Sequence, residues 1–435
     1  MNAIKLANYT DVKAQELWKT LYLCAKENPK RKFHALYDKI YRPDILLEAW
    51  KRVKRKKGSG GVDGQTIEEI VTNYGERKFL NELYIQLKEN EYNPSPVLRT
   101  YIPKENGKKR PLGIPTIKDR VVQMATKMVI EPIFEADFQE CSFGFRPKRN
   151  AHQAMASIRE ASKRSSWVVD VDIQGYFDNI NQEKLLKLIE QKINERRVLK
   201  LIRKWLGAGI MEEGKVRNPL TGTPQGGVIS PLLANIYLNT LDKLWIKKFH
   251  HLGELVRYAD DLVILTRTKQ QALVSIQVLK AIMNKLDLTI NRDKSRLVHL
   301  FDNKEGFDFL GFHNRKFEVH NKGGRPFYAM AHIPKKNAMK KMRAKIKAYT
   351  EPRNKLYLDI KELVKGLNRI LQGYKNYYKI SRIAFKWLNQ IDWYVLERLT
   401  LFYNKKRNIR RKHGNLKKVQ GEINHLIVKL ARNYP

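Results

Sequence analysis

The chain has 435 residues, enough for two or three domains, and its 42% hydrophobic content can fill their cores. Its 85 Lys and Arg against 44 Asp and Glu leave a formal net charge of +41, an excess that calls for a polyanion, so nucleic acid is the expected partner. Aromatic content of 10% excludes a merely disordered basic tail, and two distant cysteines, Cys24 and Cys141, exclude a disulfide framework or a cysteine zinc module.

Lys5, Asp11, Lys13, Glu16 and Lys19 interrupt any apolar run at the start of the chain, and nowhere do about 20 apolar residues follow one another. Neither secretion nor a membrane span is expected; a reducing, cytoplasmic location is. Residues 1–57 read as a mainly helical basic extension, with Leu17, Leu21 and Tyr22 on one face and a second helix launched by Pro43. It ends in a cationic run that includes Arg55, Lys56 and Lys57, either a solvated helix end or a phosphate contact. The glycine-rich stretch Gly58–Gly64 breaks the helix, and another helix is expected over roughly 76–90.

Tyr101–Lys104 and Lys109–Pro115 form the arms of a predicted hairpin turned by Asn106-Gly107, with Lys104 and Arg110 beside the turn. Such a pair can reach over a polyphosphate, or it can be an ordinary exposed basic hairpin. Thr116 caps the next helix, with Asp119 three residues on and a stripe of Val121, Val122, Ala125, Met128 and Val129. The loop Cys141–Pro147, with Arg146, either lines a nucleic-acid channel or is a packed turn. A helix from Ala151 to about Ser162 leads into Trp167–Ile173, whose period-two alternation puts Asp170 and Asp172 on one strand face. Asp172 reads as a metal ligand and Asp170 as a supporting acid. Phe177 follows in a Gly-Tyr-Phe-Asp stretch, as core or as the floor of a nucleotide pocket, and Asn181 caps a further helix.

In Thr221–Pro231 the glycines allow close backbone approach to a ligand and Gln225 offers uncharged hydrogen bonds; Ser230 as N-cap and Pro231 then start a long apolar helix. Val256–Leu265 reads as a hairpin with Asp260-Asp261 at its turn, solvated acids by one reading and divalent-metal ligands by the other. Paired beside the Asp172 strand, the three carboxylates would hold two metal ions, the arrangement that serves nucleotidyl transfer. After Phe309–Phe312, three basic amphipathic helices are expected. The first sets Ala338, Met342, Ile346 and Tyr349 on one face and Lys340, Lys341, Arg343 and Lys347 elsewhere, the second carries Leu363 to Tyr378, and the third runs over roughly 383–403.

In order and spacing these stretches resemble the reverse transcriptases, or maturases, encoded by group II introns, over about residues 40–405. The most specific pieces are Tyr258-Ala259-Asp260-Asp261 and Thr223-Pro224-Gln225-Gly226-Gly227 running into Ser230-Pro231-Leu232-Leu233-Ala234-Asn235. The resemblance implies an α+β right-hand polymerase: fingers and an antiparallel-sheet palm in residues 58–315, a helical thumb (maturase X domain) in 316–404, and a basic DNA-binding extension in 405–435. It makes Asp172, Asp260 and Asp261 the catalytic acids for two Mg2+ ions, with the carbonyl of Ile173 as a further ligand. Lys104 and Arg110 would contact the dNTP triphosphate, Gln225 would lie under the nucleotide, Phe177 would exclude a ribose 2′-hydroxyl, and Lys294 would help protonate pyrophosphate or stand as a structural lysine. The implied partners are an RNA template, a DNA primer, intron RNA and target DNA. Many relatives end in an HNH endonuclease domain with cysteine pairs; its absence before Pro435 makes second-strand cleavage unexpected. The rival readings are a retron, diversity-generating or CRISPR-associated reverse transcriptase, and an RNA-binding splicing cofactor without polymerase activity.

Overall fold

The computed structural model describes residues 10–103, 107, 109–212, 215–217, 221–223, 226–301, 305–321, 323–409 and 414–431. Two compact units emerge: Met1–Asn150, Val171–Leu262 and Val274–Ser295 form the first, and Ala151–Asp170, Val263–Leu273 and Arg296–Pro435 the second. Strands among the described residues are β1 (Val97–Pro103), β2 (Lys109–Ile114), β3 (Trp167–Val171), β4 (Ile210–Glu212), β5 (Lys215–Arg217), β6 (Glu254–Tyr258), β7 (Asp261–Thr266), β8 (Arg296–His299), β9 (Phe307–Phe309), β10 (Phe312–His320) and β11 (Pro326–Pro334). With long helices in both units, the chain is α+β.

The first unit is built around helix Ile117–Glu135, which is buried on nearly every side. Helices Thr10–Glu27 and Pro43–Arg55 pack against it. Its start is capped as expected: the Thr116 hydroxyl accepts the Asp119 N–H at 3.1 Å, while the Asp119 carboxylate takes the Tyr92 hydroxyl at 2.6 Å. The predicted hairpin is β1–β2, antiparallel with Ile102 opposite Arg110 and Pro103 opposite Lys109. Strands β4 and β5 extend it into a sheet of order β2-β1-β4-β5. Three-residue strands carry too little periodicity to be read from sequence. Asn181 caps helix Gln182–Glu190 by accepting the Lys184 N–H at 3.0 Å. Helix Ser230–Leu244 begins one residue earlier than expected, so Ile229, not Ser230, stands at the N-cap.

The sheet that carries the acids has the order β6-β7-β3-β8, so the hairpin and the Asp172 strand are neighbours, as the acid pattern requires. In the second unit β3 pairs antiparallel with β8, setting Asp170 opposite Arg296, whose Nε lies 3.2 Å from the carboxylate; Asp170 is a paired supporting acid.

Phe309–Phe312 turns tightly between β9 and β10, with Leu310 (φ 49) and Gly311 (φ 82) both left-handed, as a two-residue hairpin turn of right-handed twist needs. A long β10–β11 hairpin follows that the helical reading of this region had not anticipated. The three expected helices are Lys336–Thr350, Ile360–Tyr378 and Phe385–Lys406, joined by a short helix Leu416–Ile423. Met342, Ile346, Leu363, Leu367, Leu388, Ile391 and Val395 make their common core. Among the described residues, no helix is long and apolar enough to cross a membrane.

Candidate active site

The turn between β6 and β7 consists of Ala259 and Asp260. Ala259 has φ 59, a left-handed conformation that costs an L-residue other than glycine about 1–2 kcal/mol. Something has to hold it there, and the holder is Arg257, 0% exposed in an otherwise apolar strand. Its Nη1 donates to the Ala259 carbonyl at 2.8 Å and to Asn235 Oδ1 at 3.0 Å. Its Nε and Nη2 grip the equally buried Asp242 carboxylate at 2.8 and 2.5 Å. Burial, the largest single influence, would depress the guanidinium pKa; the Asp242 charge and hydrogen bonds, with Cys141 and Tyr176, together hold Arg257 above its ordinary value.

The network extends to the loop Cys141–Pro147. Asn235 Nδ2 donates to the Gly144 carbonyl at 2.8 Å, and Arg257 exchanges backbone bonds with Cys141 and Phe143 at 2.8 and 2.9 Å. A Cβ on Gly144 would collide with the backbone nitrogen of Ala259, so only glycine lets the loop seat the Ala259-Asp260 turn. This loop is therefore a packed turn, and the expectation for Arg146 is corrected. Arg146 is 7% exposed, its guanidinium gripping Glu135 at 2.7 Å and donating to the Gln139 and Ser142 carbonyls at 2.5 and 2.7 Å. A buried, partnered arginine has no reach to nucleic acid. Phe145 is the exposed ring of the loop, tilted against Tyr258 at 6.4 Å.

Asp172 lies one residue past β3, cradled by residues 289–295. Its N–H donates to Ser295 Oγ at 3.2 Å and its carbonyl accepts the Asn291 N–H at 2.8 Å. Its Oδ2 accepts from Asn291 Nδ2 at 3.1 Å and Lys294 Nζ at 3.0 Å. Ile173 bridges Ile290 in an antiparallel pair whose hydrogen bonds are made by the residues on either side, so its own carbonyl faces away from that strand. Asp260 is pushed above the ordinary carboxylate range, first by burial and then by the Asp172 charge, while Arg110 and Arg257 pull it down. The charges of Asp172 and Arg110 thus both reach Asp260, and its neighbour Asp261 is exposed. Among the described residues no three acids, histidines or cysteines close into a metal cage.

Phe177 sits half-buried in the short helix Tyr176–Asn179, edge-on to Tyr176 at 5.4 Å; the Tyr176 hydroxyl donates to the Ala234 carbonyl at 2.5 Å. The following glycine loop docks on this helix: Thr223 N–H to Phe177 O and Gly222 N–H to Ile180 O, both 2.8 Å. A Cβ on Gly222 would come within 2.8 Å of the Asp178 carbonyl, and one on Gly226 would collide with the Gly113 carbonyl of β2. These two glycines admit the protein's own backbone, where the sequence had suggested a ligand. Lys104 and Gln225 lie outside the described residues.

Of the cations expected on nucleic acid, Arg55, Lys56 and Lys57 are exposed at the end of helix Pro43–Arg55 in the first unit. In the second, Lys340, Lys341 and Lys347 are exposed and Arg343 half-buried on helix Lys336–Thr350. Sequence reasoning missed Arg257, Asp242, Asn235, Gly144 and Asn291. One signal was available: an arginine between Val256 and Tyr258 in a buried strand must have an acid to meet.

Residues 102–314 match the family model described as reverse transcriptase (RNA-dependent DNA polymerase), and residues 339–420 that of the group II intron maturase-specific domain. Group II intron-encoded protein LtrA of Lactococcus lactis subsp. cremoris is 40% identical over 222 residues, 50% of this chain and 36% of that protein. Protein YkfC of Escherichia coli (strain K12) is 33% identical over 336 residues, 68% of this chain and 87% of that protein. The uncharacterized 91 kDa protein in cob intron of Schizosaccharomyces pombe is 36% identical over 208 residues, 47% of this chain and 25% of that protein. The match thus spans about a third of LtrA and most of YkfC. With both domains matched in order, and with the acids of its reverse transcriptase domain gathered on adjacent strands, the chain belongs to the family of group II intron reverse transcriptases and maturases.

Proposed function

We propose that the chain is an RNA-directed DNA polymerase that also binds the RNA of a group II intron, assisting its splicing and its retrohoming into target DNA. The observation that carries this reading is the adjacency of β7 and β3 in one sheet, with the charges of Asp172 and Arg110 both acting on Asp260 at the turn before β7. Fingers and palm would occupy residues 58–315 and the thumb 316–404, with basic segments 1–57 and 405–435 on RNA and DNA.

The donors suit a hard divalent cation. Asp172, Asp260 and Asp261 supply carboxylate oxygens, the Ile173 carbonyl points away from its bridged strand, and the Lys294 ammonium now stands where positive charge is wanted on Asp172. Phosphate oxygens of the substrate would complete a set that the protein alone leaves open. Two Mg2+ ions bound there would activate the primer 3′-hydroxyl and neutralise the leaving pyrophosphate. The chain's own residues do the rest. Asn291 and Ser295 hold Asp172 in place, and Arg257 holds the Ala259-Asp260 turn. Arg110, with Lys104, would orient the dNTP triphosphate, Gln225 would support the nucleotide, and the Phe177 ring would fill the space a 2′-hydroxyl needs. Lys294 Nζ, once released from Asp172, would carry the proton for pyrophosphate.

The test is primer extension on an RNA template with dNTPs and Mg2+, comparing the wild type with Asp260→Ala/Asp261→Ala. The wild type should synthesise DNA and the variant should not, while both bind template RNA with nearly equal affinity. No synthesis by the wild type overturns the polymerase reading; equal loss of RNA binding overturns the separation of the acids from the RNA-binding surface.

A further inference from the structure

Helices Phe385–Lys406 and Leu416–Ile423, with the turn after the second, enclose a half-open cavity of about 180 Å3 lined by none of the individual site residues named above. Its floor is apolar, with Val395 and Ile423 among the buried core. Asn389, Gln420 and Asn424 put carboxamides around it, and Trp393 stands at its side 55% exposed. No other tryptophan among the described residues is exposed. The wall is rigid at Asp392, whose carboxylate accepts the Leu430 and Ala431 N–H groups at 2.8 and 2.9 Å and is consumed in doing so.

Cations flank the opening. Lys386 precedes Asn389 by three positions and Lys417 precedes Gln420 by three, so each shares the helix face that lines the cavity, and both are exposed. Lys429 lines the cavity itself, its ammonium on the Asn424 side-chain oxygen. Asp392 and, one turn past Trp393, Glu397 are the acids there, and the three lysines outnumber them. A half-open, apolar-floored cavity beside an exposed indole, rimmed by carboxamides and lysines, has the chemistry of a base-binding site. The indole stacks, the amides meet base edges, and the lysines meet phosphates. A paired base cannot present its face to such a slot.

We infer that this cavity receives one unpaired base of bound RNA, stacked on Trp393. The inference rests on the RNA-binding reading above and adds to it a contact to a base where the lysines of helix Lys336–Thr350 supply only charge. The test uses the full chain and a hairpin RNA with an unpaired loop, in its natural form and with the loop nucleotides made abasic, so that phosphates stay and bases go. Wild type, Trp393→Ala and Trp393→Phe are titrated with both, and circular dichroism checks each fold. The wild type should prefer the natural loop by roughly 10- to 100-fold, as stacking of a base implies. Trp393→Ala should lose most of that preference and Trp393→Phe keep most of it. Equal binding of natural and abasic RNA by the wild type, as expected if the slot takes a protein partner, overturns the inference. So does a preference that survives in Trp393→Ala. Failure of the wild type to bind either RNA would instead overturn the RNA-binding reading.

Discussion

Arg257→Met removes the group that holds the Ala259-Asp260 turn. The change leaves the Asp242 carboxylate, 0% exposed, without its cation, and breaking such a buried pair costs about 3–5 kcal/mol. The Ala259 carbonyl loses its guanidinium donor as well, about 1–3 kcal/mol more. Against a total stability of about 5–15 kcal/mol, the single variant is expected to be severely destabilised. Arg257→Met/Asp242→Leu removes both charges, and apolar replacement of a buried pair is often neutral. The double variant should therefore recover most of its urea midpoint, followed by tryptophan fluorescence. It does not restore a donor to Ala259, whose left-handed turn then relaxes and moves Asp260. A shift of about 1 Å at a reacting centre can cost about 100-fold in rate. DNA synthesis should thus stay low while stability returns. Arg257 also lowers the proton affinity of Asp260, so without it Asp260 protonates at higher pH and the acidic limb of the pH–rate profile moves upward. Wild-type synthesis by a refolded double variant would refute the argument.

Phe177→Ala should admit ribonucleotides; an unchanged ratio of dNTP to rNTP incorporation in primer extension would remove Phe177 from sugar selection. His332 is held at about 3, first by burial and then by the Arg159 charge, below the ordinary 6.5. A depressed folded-state pKa means that its contribution is present above about 6.5 and is lost as pH falls toward 3, at up to about 1.4 kcal/mol per pH unit. Between pH 7 and 5 the wild type should lose roughly 2 kcal/mol more than His332→Gln in urea unfolding; parallel losses would show that His332 does not titrate in this way. RNA affinity should fall steeply with salt because many phosphates are contacted, and a flat response between 50 and 200 mM salt, roughly the range where such binding changes most, would count against a basic RNA surface.

Much of the fold was legible because its signals are local. Pro43 and Pro231 start helices, Thr116 and Asn181 cap them with the expected bonds, and the apolar run around Asp260-Asp261 makes the hairpin that periodicity implies. The alternation of Asp170 and Asp172 marked a strand whose acids need partners, and the resemblance supplied their roles.

Other features depended on residues distant in sequence. Strands β4 and β5 exist because β1 offers an edge to pair with, and their own residues carry no signal. Charge alone did not tell Arg146, buried on Glu135, from the exposed Lys340, since burial depends on what the rest of the chain brings alongside. Gly222 and Gly226 are glycines because Asp178 and Gly113 press against them, a reason that exists only in three dimensions. What the sequence by itself determined is therefore most of the helices and the β1–β2 and β6–β7 hairpins, because propensity, capping and periodicity act over a few residues. The tertiary structure alone decided that Arg257, Asp242 and Asn235 hold the turn between β6 and β7, because pairing and desolvation act between residues that sequence order keeps apart.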